Sequence, residues 1–360
     1  MTFDEARARF PVLERSAYLN AGTFGPLSRA TIAALAETER WEGEHGRGGR
    51  AYFDRTHELR ARVRDRIAGQ IGAAAENVAL TDSTTASVNI VLGGLRLGPD
   101  DEVVTTDAEH LGLIGPLATT GARLRIATVR DRPAADAFDA IRAEITPKTR
   151  LLALSHVAWT TGHVLPVDGL RDVGIPLLVD GAQSVGAIPV DVTPFDFYTV
   201  SAQKWLCGPA STGALYVREP ESLRVTAPSY FSAAVYDLAA GTFEPKEDAS
   251  RFDPGWIPAA ALAGLDAALD DLPEWRFERA AETAARCRAL LAERYEVVTE
   301  PGQATLVSFR PDGDPALLAA SAYEQGVVLR DLPGTGLLRV SCGWWTSEAD
   351  LERLLAALEP

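Results

Sequence analysis

Three lysines stand among many arginines in this 360-residue chain: Lys148, Lys204 and Lys246. A sequence so biased keeps a lysine where arginine cannot serve, and forming a Schiff base is such a task. A guanidinium stays protonated, whereas an amine can lose its proton and attack a carbonyl. Lys204 has the most suggestive neighbours. Phe197, Tyr198 and Val200 read as a buried strand, Ser201 and Gln203 follow, then Trp205-Leu206 and the turn Gly208-Pro209. Gly213–Val217 reads as a second buried strand, so Lys204 is expected between two strands rather than on a solvated surface. An ordinary loop lysine is the plainer alternative.

Two further stretches carry chemistry. Asp82-Ser83-Thr84-Thr85 follows a short strand, Val78–Thr81, and precedes a helical pattern over 86–92. A helix start with free N–H groups and adjacent hydroxyls suits an anion such as phosphate; a plain N-cap needs only one of those hydroxyls. Leu177-Leu-Val179 is apolar and ends in Asp180, followed by Gln183. An Asp after such a run is an unusual surface carboxylate, although a helix cap is possible chemistry for it. His110 ends another strand, Glu102–Thr106 plus a short turn, and alone reads better as a satisfied surface histidine.

The elements that must position these residues alternate. Strands are expected at 78–81, 102–106, 124–129, 150–155, 176–180 and 197–200, with helices between them at 86–92 and 134–145. That rhythm predicts a mainly parallel sheet, with ligands at the strands' C-terminal ends. Residues 2–15, 28–43 and 51–71 read as helices. The loop Asn20-Ala-Gly22-Thr-Phe-Gly25 has glycines that allow close backbone approach. Residues 220–255 read as irregular. Helices at 259–272, 274–292 and 347–358, and strands near 296–298, 305–309, 327–330 and 338–341, suggest a smaller α+β domain. The division expected is 16–245 for the large domain, with 1–15 and 246–360 forming the small one.

Composition narrows the function. The formal net charge is −15, which argues against nucleic acid or a membrane surface as a partner. No apolar run reaches the roughly 20 residues of a membrane span, and the N-terminal residues do not form a signal peptide. Cys207, Cys287 and Cys342 are three and widely spaced, fitting neither a disulfide framework nor a metal site. A cytoplasmic location and no metal are expected.

The order of these signals is more specific than any one of them. Val179-Asp180-Gly-Ala-Gln183 and Ser201-Ala-Gln-Lys204-x-x-x-Gly208-Pro209, preceded by the helix start at 83–85 and by His110, resemble the fold-type I enzymes that use pyridoxal 5′-phosphate. Within them the chain is similar to the class V aminotransferase and cysteine desulfurase family, from Tyr18 to the last helix. The resemblance implies an α/β fold, a homodimer and an amino-acid substrate. It implies that Lys204 carries the cofactor as a Schiff base and then moves the substrate's α-proton. Asp180 would pair with the ring nitrogen, Gln183 with the ring hydroxyl, and His110 would stack on the ring. Thr84, Thr85, Ser201 and Gln203 would hold the phosphate. Arg339, with Asn20 and Gly22, would bind the substrate carboxylate.

Three departures qualify the resemblance. Trp159 stands where relatives have Asn, and Trp256 where many have Thr. The loop Arg330–Gly336 lacks the nucleophilic cysteine of desulfurases, and neither Cys207 nor Cys342 is in a position to replace it. The expected activity is therefore C–S bond cleavage by β-elimination. Transamination and epimerisation are the alternatives, and a regulatory protein on the same fold is the non-enzymatic one. Trp159, Tyr230, Phe231, Trp256, Trp344 and Trp345 suggest an aromatic-rich pocket.

Overall fold

The computed structural model describes residues 1–359. Its main sheet has seven strands in the order Val78–Thr81, Gly213–Val217, Phe197–Ser201, Leu177–Asp180, Thr149–Ser155, Glu102–Thr106, Arg123–Ala127. Gly213–Val217 is antiparallel to both of its neighbours, and the remaining pairings are parallel. Six of the seven strands therefore run the same way and end at one edge. Leu177–Asp180 and Phe197–Ser201 are buried along their whole length and Thr149–Ser155 at every residue but Arg150, as their near-continuous apolar sequences require for a sheet covered on both faces.

One face packs against Arg50–Ile71 and Ala259–Asp270, through Leu59, Val63, Ile67, Leu262 and Leu265. The other packs against Thr84–Leu95 and Leu111–Ala118, through Val88, Val91, Leu113 and Leu117. A second, antiparallel sheet has the order Glu296–Val297, Leu306–Arg310, Leu337–Ser341, Arg330–Leu332. Arg276–Ala292 and Glu348–Ala357 cover it through Cys287, Leu291, Leu351 and Leu354. Ala17–Tyr18 pairs in parallel with Val327–Val328, and Leu19 packs in the small sheet's core. Packing thus groups Ala17–Leu19 with the small sheet and Ala259–Asp270 with the large one, across the division drawn from sequence.

Some local expectations are corrected. Residues 2–15 do not form one helix: Phe3–Arg7 is α-helical and a separate 3₁₀ turn spans Pro11–Glu14, because a proline cannot continue a helix that precedes it. Residues 220–255 are not wholly irregular, since Ala233–Asp237 and Thr242–Pro245 form an antiparallel hairpin. Three helices, Leu111–Ala118, the single turn Val167–Leu170 and Pro315–Glu324, are additional to those expected. Among the described residues no helix is long and apolar enough to cross a membrane, and no group of three metal-ligating side chains occurs.

Candidate active site

The loops that leave the aligned strand ends converge on one cavity of about 210 Å³. Gly22, Thr84, Thr85, His110, Asp180, Gln183, Ser201, Gln203, Lys204 and Arg339 all line it, so ten positions singled out in the sequence come together. Asn20 is the exception. It lies outside the lining and its Oδ1 accepts a hydrogen bond from Thr23 Oγ1 at 2.9 Å.

Lys204 follows the strand Phe197–Ser201 in a tight turn, where Cys207 donates its N–H to the Lys204 carbonyl. The Asn20–Gly25 loop lies against this turn. Gly25 donates to the Gln203 carbonyl at 2.8 Å, and a Cβ on Gly25 would stand 2.0 Å from the Lys204 carbonyl oxygen. Burial lowers the Lys204 pKa to about 8; Asp180 opposes the shift, and Arg339 and Arg330 add to it.

Asp180 ends its strand opposite Ser155 and is 4% exposed. Ala182 N–H donates to its Oδ1 at 2.9 Å, and Thr199 Oγ1 donates to the same oxygen at 3.3 Å. Oδ2 is the oxygen left for a ligand. Gln183 donates from Nε2 to the Gly22 carbonyl and accepts at Oε1 from Trp205 Nε1. Gln203 accepts at Oε1 from the Ser211 N–H, which leaves its amide hydrogens for a ligand.

The helix start is built as an anion cradle. Ser83 caps Thr84–Leu95 by accepting from Ala86 N–H, at 3.2 Å. The cap leaves the N–H groups of Thr84 and Thr85, which have no intrahelical acceptor. Thr84 Oγ1 is buried with no partner in the chain. Gly112 closes the same corner, where a Cβ would lie 2.8 Å from Thr85 Oγ1. His110 caps Leu111–Ala118: its Nδ1 accepts from Gly112 N–H at 3.1 Å. The proton of the neutral ring is therefore on Nε2. Burial first, then Lys204, lowers the His110 pKa.

The small sheet supplies the cations. Arg330 and Arg339 are directly opposed on adjacent strands, a like-charge pairing that disfavours the sheet unless something else compensates it. Arg339 is 1% exposed and donates to the Trp159 carbonyl at 3.0 Å, while its Nε and Nη2 have no partner. Burial, then Arg330, lowers its pKa to about 9. A buried guanidinium with unpartnered nitrogens and a second cation beside it calls for a carboxylate from outside the chain. A Cβ on Gly22 would stand 2.7 Å from Arg339 Nη2, so any side chain there would push on the guanidinium.

Arg330, Thr23, Ser83 and Gly112 also line the cavity but were not expected as ligand residues. The sign of Arg330 is legible in sequence; its position opposite Arg339 follows only from strand pairing. Glu109 lies buried behind the lining and accepts from Thr106 Oγ1 and from the Ser155 N–H and Oγ. Burial raises its pKa to about 7, against those hydrogen bonds. Of the six aromatics expected to make an aromatic pocket, Trp159 alone lines the cavity. Its ring meets His110 edge-on, with centroids 5.2 Å apart. Trp344 and Trp345 pack with Phe10 in the core, and Tyr230, Phe231 and Trp256 cluster elsewhere.

A family model described as Aminotransferase class-V matches residues 18–354. The chain belongs to the class-V aminotransferase family. Among its relatives, isopenicillin N epimerase of Streptomyces clavuligerus is 29% identical over 99% of this chain and 98% of its own length. The cysteine desulfurase of Haloferax volcanii is 32% identical, covering 91% of this chain and 86% of its own. Among solved structures, a lysine-to-alanine mutant of C-DES, with glycine covalently linked to the PLP cofactor, has a TM-score of 0.91. It is 28% identical and covers 98% of each chain. The cystine C–S lyase C-DES in complex with its reaction product cysteine persulfide has a TM-score of 0.89 at 28% identity, covering 97% of this chain and 98% of its own. As a class-V protein, this chain has the α/β fold of the fold-type I enzymes that use pyridoxal phosphate.

Proposed function

We propose that this class-V enzyme is a C–S lyase that cleaves cystine or a similar S-substituted cysteine by β-elimination. Its cofactor is pyridoxal 5′-phosphate. The donor set fits that group. The unpartnered Thr84 hydroxyl and the free N–H groups beside it suit a phosphate, the open Oδ2 of Asp180 suits a protonated ring nitrogen, and a depressed lysine suits an aldehyde. When bound, pyridoxal phosphate supplies a carbonyl that captures an amine and a ring that accepts electrons from a bond at the α-carbon.

Each residue then has a role in the proposal. Lys204 Nζ would hold the cofactor, and its amine would take the α-proton of the substrate. Asp180 would pair with the ring nitrogen, Thr84, Thr85, Ser201 and Gln203 would hold the phosphate, Gln183 would donate to the ring hydroxyl, and His110 would lie against the ring. Arg339 binds the substrate carboxylate, with Gly22 backing it. Arg330 provides for a second acid, which suits a substrate with two carboxylates such as cystine.

The observation that carries the lyase reading is the setting of the cysteines. Sulfur storage as an enzyme persulfide needs an accessible thiolate. All three cysteines are buried, none lines the cavity, and burial raises the Cys207 thiol far above its ordinary range. The test is a variant with Cys207, Cys287 and Cys342 changed to Ala or Ser, loaded with cofactor and given cystine. Pyruvate, ammonia and a persulfide product at near-normal turnover are expected. Loss of turnover in folded, loaded variant would return the protein to the desulfurases. Recovery of an amino acid inverted at its α-carbon, without pyruvate, would mark an epimerase, the reading favoured by the full-length match to isopenicillin N epimerase.

A further inference from the structure

We propose that Trp205, buried and outside the cavity lining, is a positioning residue that fixes Gln183 as a hydrogen-bond donor toward the cofactor. Two contacts define the Gln183 amide. Trp205 Nε1 donates to its Oε1 at 3.0 Å, and its Nε2 donates to the Gly22 carbonyl at 2.9 Å. An indole can only donate and a carbonyl can only accept, so each contact by itself dictates which end of the amide carries nitrogen. One N–H remains. Gln183 lines the cavity and is 5% exposed, so that N–H is left for an acceptor within the cavity.

Both anchors of the amide are rigid. Trp205 is 1% exposed and packs with Phe10, Leu306, Trp344 and Trp345. Gly186, at φ +87°, lies so close that a Cβ there would stand 2.9 Å from the Trp205 carbonyl carbon. Gly22 is wedged against Arg339 in the same way. Trp205 thereby ties the segment bearing Lys204 to the orientation of a side chain on the next strand's loop. Without its N–H, Oε1 is buried with no donor, and the Gly22 carbonyl alone holds the amide, so its aim toward the cavity loosens.

The inference rests on the reading that pyridoxal phosphate occupies this cavity, and its test uses no substrate, so it is independent of the lyase assignment. The full-length protein is titrated with pyridoxal phosphate as wild type, Trp205→Phe, Gln183→Ala and the double variant, reading Kd and the absorption of the bound cofactor. Losing one well-placed hydrogen bond predicts that Trp205→Phe raises Kd about tenfold and displaces the absorption band. In the Gln183→Ala background the same change should leave Kd unaltered, because Trp205 acts through Gln183. An equal effect in both backgrounds, or none in either, overturns the proposal. If Trp205→Phe does not fold, Gln183→Glu serves instead: it keeps the acceptor for Trp205 and removes the donor. It should weaken the cofactor to the same degree, and an unchanged Kd contradicts the proposal.

Discussion

Lys204 is an amine held among two arginines and a carboxylate in a buried corner. Burial disfavours its charged form and brings its pKa to about 8. The neutral amine attacks a carbonyl, so lowering the pKa makes that form available at lower pH. The rate at which apoprotein takes up pyridoxal phosphate covalently should rise with pH through about 8 and then level off. Stopped-flow absorption measures it, and a rate still climbing through the ordinary lysine range near 10.5 would contradict the burial argument. Lys204 and Asp180, which line one cavity, stood out in the sequence because their types are out of place beside apolar strands; Gln183 came from the resemblance. Arg330 did not stand out. Its role depends on facing Arg339 across a strand pair, and pairing between strands is a long-range fact that local pattern does not carry.

At the scale of elements, the helix beginning at Thr84 is shaped by what it leaves unpaired. Ser83 performs the capping, so the Thr84 hydroxyl is free for a ligand, and unpartnered in the chain. A buried hydroxyl without a partner costs about 1–3 kcal/mol. Thr84→Val removes it with little change of shape. The apoprotein should melt no lower than wild type, while the affinity for pyridoxal phosphate falls about tenfold with one lost phosphate hydrogen bond. Calorimetry on the apoprotein and a cofactor titration read the two effects. A destabilised apoprotein with unchanged affinity would make Thr84 a packing residue. The alternating strands were legible from their apolar runs, bounded by turns. The helix Leu111–Ala118 was hidden because Gly112, Gly115 and Pro116 are poor helix formers; His110 capping and the packing of Leu113 and Leu117 sustain it. Pro315–Glu324 carries a start signal, Asp314 before Pro315, but its apolar residues are largely exposed and give no clear periodic face.

For the whole molecule, two sheets meet through the segment Ala17–Gly25, which pairs with Val327–Val328, accepts at the Leu19 carbonyl from Ser341 N–H of the small sheet, and then touches the lysine turn. Large apolar side chains stay exposed on the single chain: Leu111, Tyr230, Leu238 on the hairpin tip, and Trp256. The resemblance to the family implies a homodimer, and we propose one, with some of these side chains at its interface. Sedimentation equilibrium of the loaded protein should give twice the mass of one chain at micromolar concentration, and a monomer there would contradict it. The helix Ala259–Asp270 is nearly all small and apolar, so its pattern does not reveal that Arg29–His45 and Arg50–Ile71, rather than the small sheet, receive it.

The proposed covalent anchor is Lys204. The direct measurement is borohydride reduction of the loaded protein, followed by proteolysis and mass spectrometry. The reduced pyridoxyl adduct should fall on the peptide containing Ser201–Gly208, at Lys204, and should be absent from Lys204→Ala. An adduct on Lys148 or Lys246, or an undiminished adduct in Lys204→Ala, would contradict the site as described.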